Sequence, residues 1–188
     1  MIIGITGGIG SGKSVIAKQL REMGYAVYDT DSEAKRLIVE DAHVREQMIQ
    51  LFGEEVYRDG VYQTAVVAQR VFADKSLLAQ LNAIVHPCVL SDFEQWADKQ
   101  QSEYVVIESA ILFEAGSDKI VEVVVAVMAP EDLRIERTIE RDGLSREQVE
   151  ERMRNQLSDD ERCTRSKYAV VNIDLDELEE DVEQLHRR

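Results

Sequence analysis

Four residues near the start of the chain have the types and spacing needed to hold phosphate. In GGIGSGKS, residues 7–14, Gly7, Gly12, Lys13 and Ser14 satisfy the pattern G-x-x-x-x-G-K-[ST]. Glycines let successive peptide N–H groups turn inward around an anion with no Cβ in the way. A helix starting directly after them adds orphan N–H groups and the positive end of its dipole. Lys13 then reaches the β- and γ-phosphates of a nucleoside triphosphate, and the Ser14 hydroxyl ligates Mg2+. A dinucleotide-binding turn starts similarly, with Gly8, Ile9 and Gly10, and has an acid about twenty residues on, where Asp29 and Asp31 stand. That alternative fails at position 13, where its third glycine is replaced by lysine.

Two further groups extend the chemistry. Asp29 and Asp31, in DTD, read as carboxylates at the end of a second strand, across a cleft from the phosphate cradle. One of them suits orienting an acceptor hydroxyl and taking its proton during transfer. The competing role is to cap a helix that runs from Ser32 onward. Farther on, RIERTIERDGLSREQVEERMRNQ carries Arg134, Arg137 and Arg141 at spacings of three and four, which puts them on one helical face. Gly143 breaks that helix and SREQ has the form of a capping box for the next. Two basic helices joined by a turn make either a lid over phosphates or a hairpin laced with Glu–Arg pairs.

These residues need a frame. IIGIT (2–6), YAVYDTD (25–31), YVVIES (104–109), VEVVVAVMA (121–129) and YAVVNI (168–173) read as five strands rich in β-branched residues, the pattern of a buried parallel sheet. A helix follows the first strand, with Val15, Ile16, Leu20 and Met23 near helical spacing and Gly24 as its stop. The stretch from Ser32 to Gln101 is mostly helical in pattern, with expected breaks at GEEVYRDG (53–60) and Pro87. Pro130 is expected to open a helix. Leu175, Leu178, Val182 and Leu185 line one face of a terminal helix. Strands alternating with helices imply right-handed crossovers, and ligands then bind beyond the carboxyl ends of the strands. The opening motif stands at the end of the first strand.

Composition narrows the partners. A chain of 188 residues, 44% hydrophobic and 31% charged, suits one α/β domain with insertions. No apolar run approaches the ~20 residues of a membrane span, and MIIGITGG lacks the charged start of a secretory signal. Cys88 and Cys163 read as free thiols of a reducing cytoplasm. A net charge of −15 argues against nucleic acid and against an anionic membrane surface. A phosphate substrate must therefore be met by a few local cations.

Taken in order, GITGGIGSGKS, VYDTDSEAKRL, LNAIVHP (81–87), LFEAG (112–116), RTIERDGLSREQVEERMRNQ and YAVVNID resemble the dephospho-coenzyme A kinase family over nearly the whole chain. The resemblance implies an α/β P-loop NTPase fold: a five-stranded parallel sheet flanked by helices in a single kinase domain. The core would be about 1–31 and 102–188, the helical acceptor-binding insertion about 32–101 and the lid about 134–157. It implies ATP-dependent phosphorylation of the ribose 3′-hydroxyl of dephospho-coenzyme A, with Mg2+, by a cytoplasmic enzyme; the sequence leaves the oligomeric state open, a monomer being the favoured reading. Asp31 would face the hydroxyl. Gly8, Ile9, Gly10, Ser11, Gly12, Lys13, Ser14 and Val15 would hold ATP, and Asn172 would lie near the adenine. Arg137 and Arg141 would be lid arginines, with Arg141 stabilising the transferring group. Asn82 and His86 would bind the acceptor, although His86 before Pro87 equally suits a helix end. The chain departs from the family in having Glu108, Ser109, Ala110, Ile111 and Leu112 in place of D-x-P-L-L, and Thr64 where an arginine is common. Another small-molecule kinase, such as a nucleoside monophosphate kinase, or a nucleotide-dependent switch, remains compatible with the phosphate motif alone.

Overall fold

The computed structural model describes residues 1–174, so the terminal helix expected from Leu175 to Leu185 lies outside the described residues. Along the chain run β1 (Ile2–Thr6), α1 (Lys13–Glu22), β2 (Ala26–Asp29), α2 (Thr30–Glu40) and α3 (Ala42–Phe52). Then come β3 (Tyr57–Arg58), β4 (Val61–Tyr62), α4 (Thr64–Ala73), α5 (Lys75–Ala97) and β5 (Val105–Glu108). β6 (Val123–Met128), α6 (Glu131–Asp142), α7 (Arg146–Arg154), α8 (Asp159–Arg165) and β7 (Tyr168–Val171) complete the order. The chain divides into two units, one of Met1–Asp29 with the chain from Gln100 onward, the other Thr30–Lys99.

The first unit holds the sheet, in the order β2-β5-β1-β6-β7, with every pair parallel. Its strands are β-branched because both faces are covered; all four residues of β5 are buried. Ile5, Val106, Val125, Val127 and Val170 form the core with Ile16 of α1, and Val15 and Leu20 pack against it. The register aligns the carboxyl ends: Glu108 stands opposite both Ile5 of β1 and Asp29 of β2. α1 ends as its sequence suggests. Gly24 takes φ 92°, and the N–H groups of Gly24 and Tyr25 donate to Arg21 and Leu20 carbonyls at 3.0 and 2.9 Å. Pro130 directly precedes α6 rather than forming its first residue.

The second unit is a helical cluster with a small hairpin. Val44, Met48, Phe52, Val56 and Val67 form its core. Arg36 of α2 reaches Asp92 of α5 at 2.6 Å, and Tyr57 Oη donates to the Ile38 carbonyl at 2.7 Å. The expected break at 53–60 is a one-turn helix, Glu54–Val56, running into the β3–β4 hairpin. Asp59 and Gly60 both take positive φ, as its two-residue turn requires.

Pro87 does not break the chain: α5 runs through it for 23 residues. Proline removes one donor and costs several kcal/mol in a helix interior. Val85, Val89 and Phe93, at spacings of four, are all buried, and burial of that face outweighs the local defect. Asp31 also differs from its expected place. It is the second residue of α2 and not part of the strand, so Asp29, not Asp31, occupies the position before the helix. Among the described residues no helix is long and apolar enough to cross a membrane.

Candidate active site

The phosphate motif forms the connection from β1 to α1. Gly12 precedes α1 with φ 91°, and no side chain caps the helix. The orphan N–H groups of its first turn are therefore directed at whatever occupies the cradle, with no acid there to oppose an anion. Lys13 is the first helical residue, and Ser14, the second, is exposed. Lys13 Nζ lies 3.7 Å from Glu108 Oε1, with side-chain exposures of 13% and 6%. The glutamate at the end of β5 thus reaches the motif lysine in spite of its departure from the usual aspartate.

Four glycines of the loop have neighbours too close to admit a side chain. A Cβ on Gly7 would meet the Val127 carbonyl at 2.5 Å, and one on Gly8 would strike the Arg134 guanidinium. On Gly10 it would strike the Arg134 carbonyl, and on Gly12 the Asn172 carboxamide. The loop is thus clamped by β6, α6 and the end of β7. Asn172 is buried; its Nδ2 donates to the Ser11 carbonyl at 2.9 Å and its N–H to the Met128 carbonyl at 2.7 Å. The structure places this residue, expected near adenine, as a brace for the loop. Ser11 is itself buried, whereas Ile9 is held through both of its backbone polar groups: its N–H donates to Gln156 Oε1 at 3.0 Å and its carbonyl accepts from Arg134 Nε at 3.0 Å.

The three arginines of α6 have separate environments. Arg134 is buried and also pairs with Asp159 at 2.5 Å. Arg137 donates from Nη1 to the Asn172 carbonyl at 3.1 Å and from Nη2 to the Ile173 carbonyl at 3.2 Å. Arg141, with a side chain 59% exposed, donates to both carboxylate oxygens of its neighbour Asp142 at 2.7 and 2.9 Å. That pairing holds the Asp142 carboxyl below its usual range. Gly143 ends α6 with φ 66°, and Ser145 with Gln148 forms the expected capping box of α7. Arg146 pairs with Asp132 and Glu150 at 2.6 and 2.9 Å, so Glu–Arg pairing is present beside any lid role.

Sequence reasoning passed over α8 and its surroundings. Ser158 and Glu161 form a second capping box there, a signal visible in S-x-x-E. Arg162 on this helix has a side chain fully removed from solvent, between Asp159 and Glu114. Burial lowers the affinity of its guanidinium for the proton, and the two carboxylates oppose that effect.

Asn82 and His86 stand four residues apart on α5, on one helical face of the second unit. Burial pushes the His86 imidazole below its ordinary pKa. Thr64, where arginine is common in the resembling family, is the first residue of α4.

A family model described as dephospho-CoA kinase matches residues 1–177. The dephospho-CoA kinase of Bacteroides fragilis is 42% identical over 171 residues, 90% of this chain and 83% of that protein. Among solved structures, TT1252 from Thermus thermophilus aligns at a TM-score of 0.85 with 35% identity, covering 100% of this chain and 94% of that one. Shikimate kinase from Acinetobacter baumannii, solved with shikimate, aligns at a TM-score of 0.60 with 18% identity, covering 99% and 92%, a likeness of fold alone.

Proposed function

The chain belongs to the dephospho-CoA kinase family, and on that premise we propose that it transfers the γ-phosphoryl group of ATP to the ribose 3′-hydroxyl of dephospho-coenzyme A. The products are coenzyme A and ADP. The observation that carries this reading is the uncapped start of α1 behind Gly12, with Lys13 as its first residue and Glu108 3.7 Å away.

The roles divide by position. The loop from Gly8 to Ser14 surrounds the phosphates with its remaining N–H groups, those of Ile9 and Ser11 being taken by Gln156 and Gly8, and Lys13 exchanges part of its contact with Glu108 for the β- and γ-oxygens. Val15 joins the loop to the core, and its N–H donates to Gly12 at 2.9 Å. Asp31 follows the carboxyl end of β2 by two residues, the sheet edge at which the loop after β1 also lies. Its carboxylate takes the proton of the 3′-hydroxyl as that oxygen bonds to phosphorus and the bond to the β–γ bridging oxygen breaks. ADP leaves with the electron pair. Arg141 offsets charge on the transferring group, while Arg137 holds the segment after β7. Asn82 and His86 contribute to acceptor binding, and Asn172, whose side chain braces the loop at Ser11, stands near the adenine.

The donor set fits Mg2+. Ser14 offers an exposed hydroxyl and Glu108 a carboxylate at the adjacent strand end, the hard oxygen ligands that this ion takes alongside phosphates and water. When bound, the ion neutralises phosphate charge. The net charge of −15 supports a small-molecule substrate rather than nucleic acid or an anionic membrane surface, and the thiols Cys88 and Cys163 suit a reducing cytoplasm.

ADP release, followed over a panel of acceptors, tests the reading. Fast ATP consumption is expected only when Mg2+ and dephospho-coenzyme A are both present. Equal or faster turnover with nucleoside monophosphates would favour the other kinase class. ATP hydrolysis indifferent to every acceptor would favour a switch.

A further inference from the structure

Arg162 takes no part in phosphoryl transfer as described, yet its side chain is fully buried. A buried guanidinium is weak evidence for stability, because apolar replacement of a buried ion pair is often neutral or better. Its surroundings show what geometry it holds. Nη1 donates to Asp159 Oδ1 at 3.2 Å, and Nη2 lies 3.6 Å from Glu114 Oε1. The other Asp159 oxygen takes Arg134 Nη1 at 2.5 Å, and Arg134 Nε donates to the Ile9 carbonyl. On the opposite side, Glu114 Oε1 accepts the Leu157 N–H at 2.8 Å. Leu157 adjoins Gln156, whose Oε1 accepts the Ile9 N–H. The contacts close a ring that begins and ends on the backbone of Ile9, at its carbonyl and at its N–H.

We propose that Arg162 is a positioning residue for the phosphate loop, acting through Asp159 and Arg134 on the Ile9 carbonyl and through Glu114 and Gln156 on the Ile9 N–H. It touches no substrate. Two carboxylates share its one cation, and each has a second partner that leads to the loop. Removing the cation leaves the Asp159 and Glu114 carboxylates facing each other with no positive charge between them. The arms then shift, and the two peptide groups that flank the Ile9 Cα rotate. Ile9 lies inside the cradle, so its rotation re-aims the N–H groups that follow. A displacement of about 1 Å is enough to cost about 10²-fold in rate.

This inference rests on the loop being the ATP site, so ATP binding is measured directly by calorimetry, apart from turnover. Wild-type protein that binds ATP but phosphorylates no dephospho-coenzyme A would overturn the acceptor assignment and leave the ring to be judged on binding. Arg162→Met and Gln156→Leu are each expected to weaken ATP binding and to lower kcat/KM for ATP by about 10²-fold. KM for dephospho-coenzyme A should stay at its wild-type value. Arg162→Lys, which keeps the charge with fewer donors, should recover part of the loss. Gln156→Leu leaves every ion pair intact, so it carries the test alone if Arg162→Met does not fold. Wild-type ATP affinity in Gln156→Leu overturns the proposal. So does a folded Arg162→Met whose two substrates weaken equally, the mark of general loosening.

Discussion

Arg134 and Arg141 stand on the same face of α6, two turns apart, in opposite surroundings. Arg134 is buried, tied to the Ile9 carbonyl and to Asp159. Arg141 is mostly exposed and bonded to the residue beside it, Asp142. One guanidinium is part of the frame that shapes the phosphate loop. The other makes a solvent-screened pair with Asp142, of the kind worth at most about 1 kcal/mol. Spacing alone made the two residues equivalent. Burial separates a charge that fixes geometry from a charge that solvent screens.

The largest effects should follow that division. Arg141→Ala is expected to leave the melting temperature and ATP binding unchanged and to lower kcat on the order of 10³-fold. Arg134→Ala should act first on the fold, because it removes the donor to the Ile9 carbonyl and one of the two cations on Asp159. Asp159 keeps Arg162, so the loss should stay below the roughly 3–5 kcal/mol of an uncompensated buried charge. Denaturant unfolding alongside steady-state kinetics reads both quantities. If the two variants lose stability and kcat in similar proportions, the division between the ends of α6 is wrong and the α6–α7 pair is only a charged hairpin.

Asp31→Asn carries the comparison to the second unit. Asp31 lies inside the first turn of α2 rather than before it, so the substitution removes no N-cap. An amide also accepts fewer hydrogen bonds and cannot take a proton. ATP affinity and melting temperature should hold, and kcat with dephospho-coenzyme A should fall on the order of 10²-fold. Wild-type kcat in this variant would remove Asp31 from the chemistry and leave Arg141 acting on a hydroxyl that needs no base.

The sequence made some parts of this arrangement readable and hid others for a physical reason. The five strands announced themselves because a parallel sheet buries both faces, as in VVIE of β5. The phosphate loop was readable because its constraints are local: glycine where a Cβ collides, lysine at the helix start. Gly8 and Gly10 also signalled a close neighbour, but nothing local named Arg134 as that neighbour. The Ile9–Gln156 bond joins residues 147 apart in the chain, and Asn172 meets Ser11 across 161. Such pairings follow from topology, which no short window contains. Pro87 misled in the opposite direction: its local rule is sound, yet the buried line Val85, Val89 and Phe93 overrides it.

The smallest effect is expected at His86, which contrasts with the charged frame around the loop because its burial opposes charge. Its folded pKa lies below the ordinary histidine value, for the reason that burial disfavours the imidazolium. In the window between that lowered value and the ordinary 6.5, the unfolded chain binds more protons than the folded one. The neutral-imidazole contribution is therefore whole above the unfolded pKa and is lost as pH falls through the folded one. His86→Gln removes the titrating group, so the stability difference between variant and wild type should shift in favour of the variant as pH drops below 6.5. The acceptor role makes a separate demand: KM for dephospho-coenzyme A should rise at neutral pH while KM for ATP stays fixed. A changed pH slope with an unchanged acceptor KM would make His86 a packing residue of α5, and the Thr30–Lys99 unit would then have to hold its acceptor through Asn82 and other side chains.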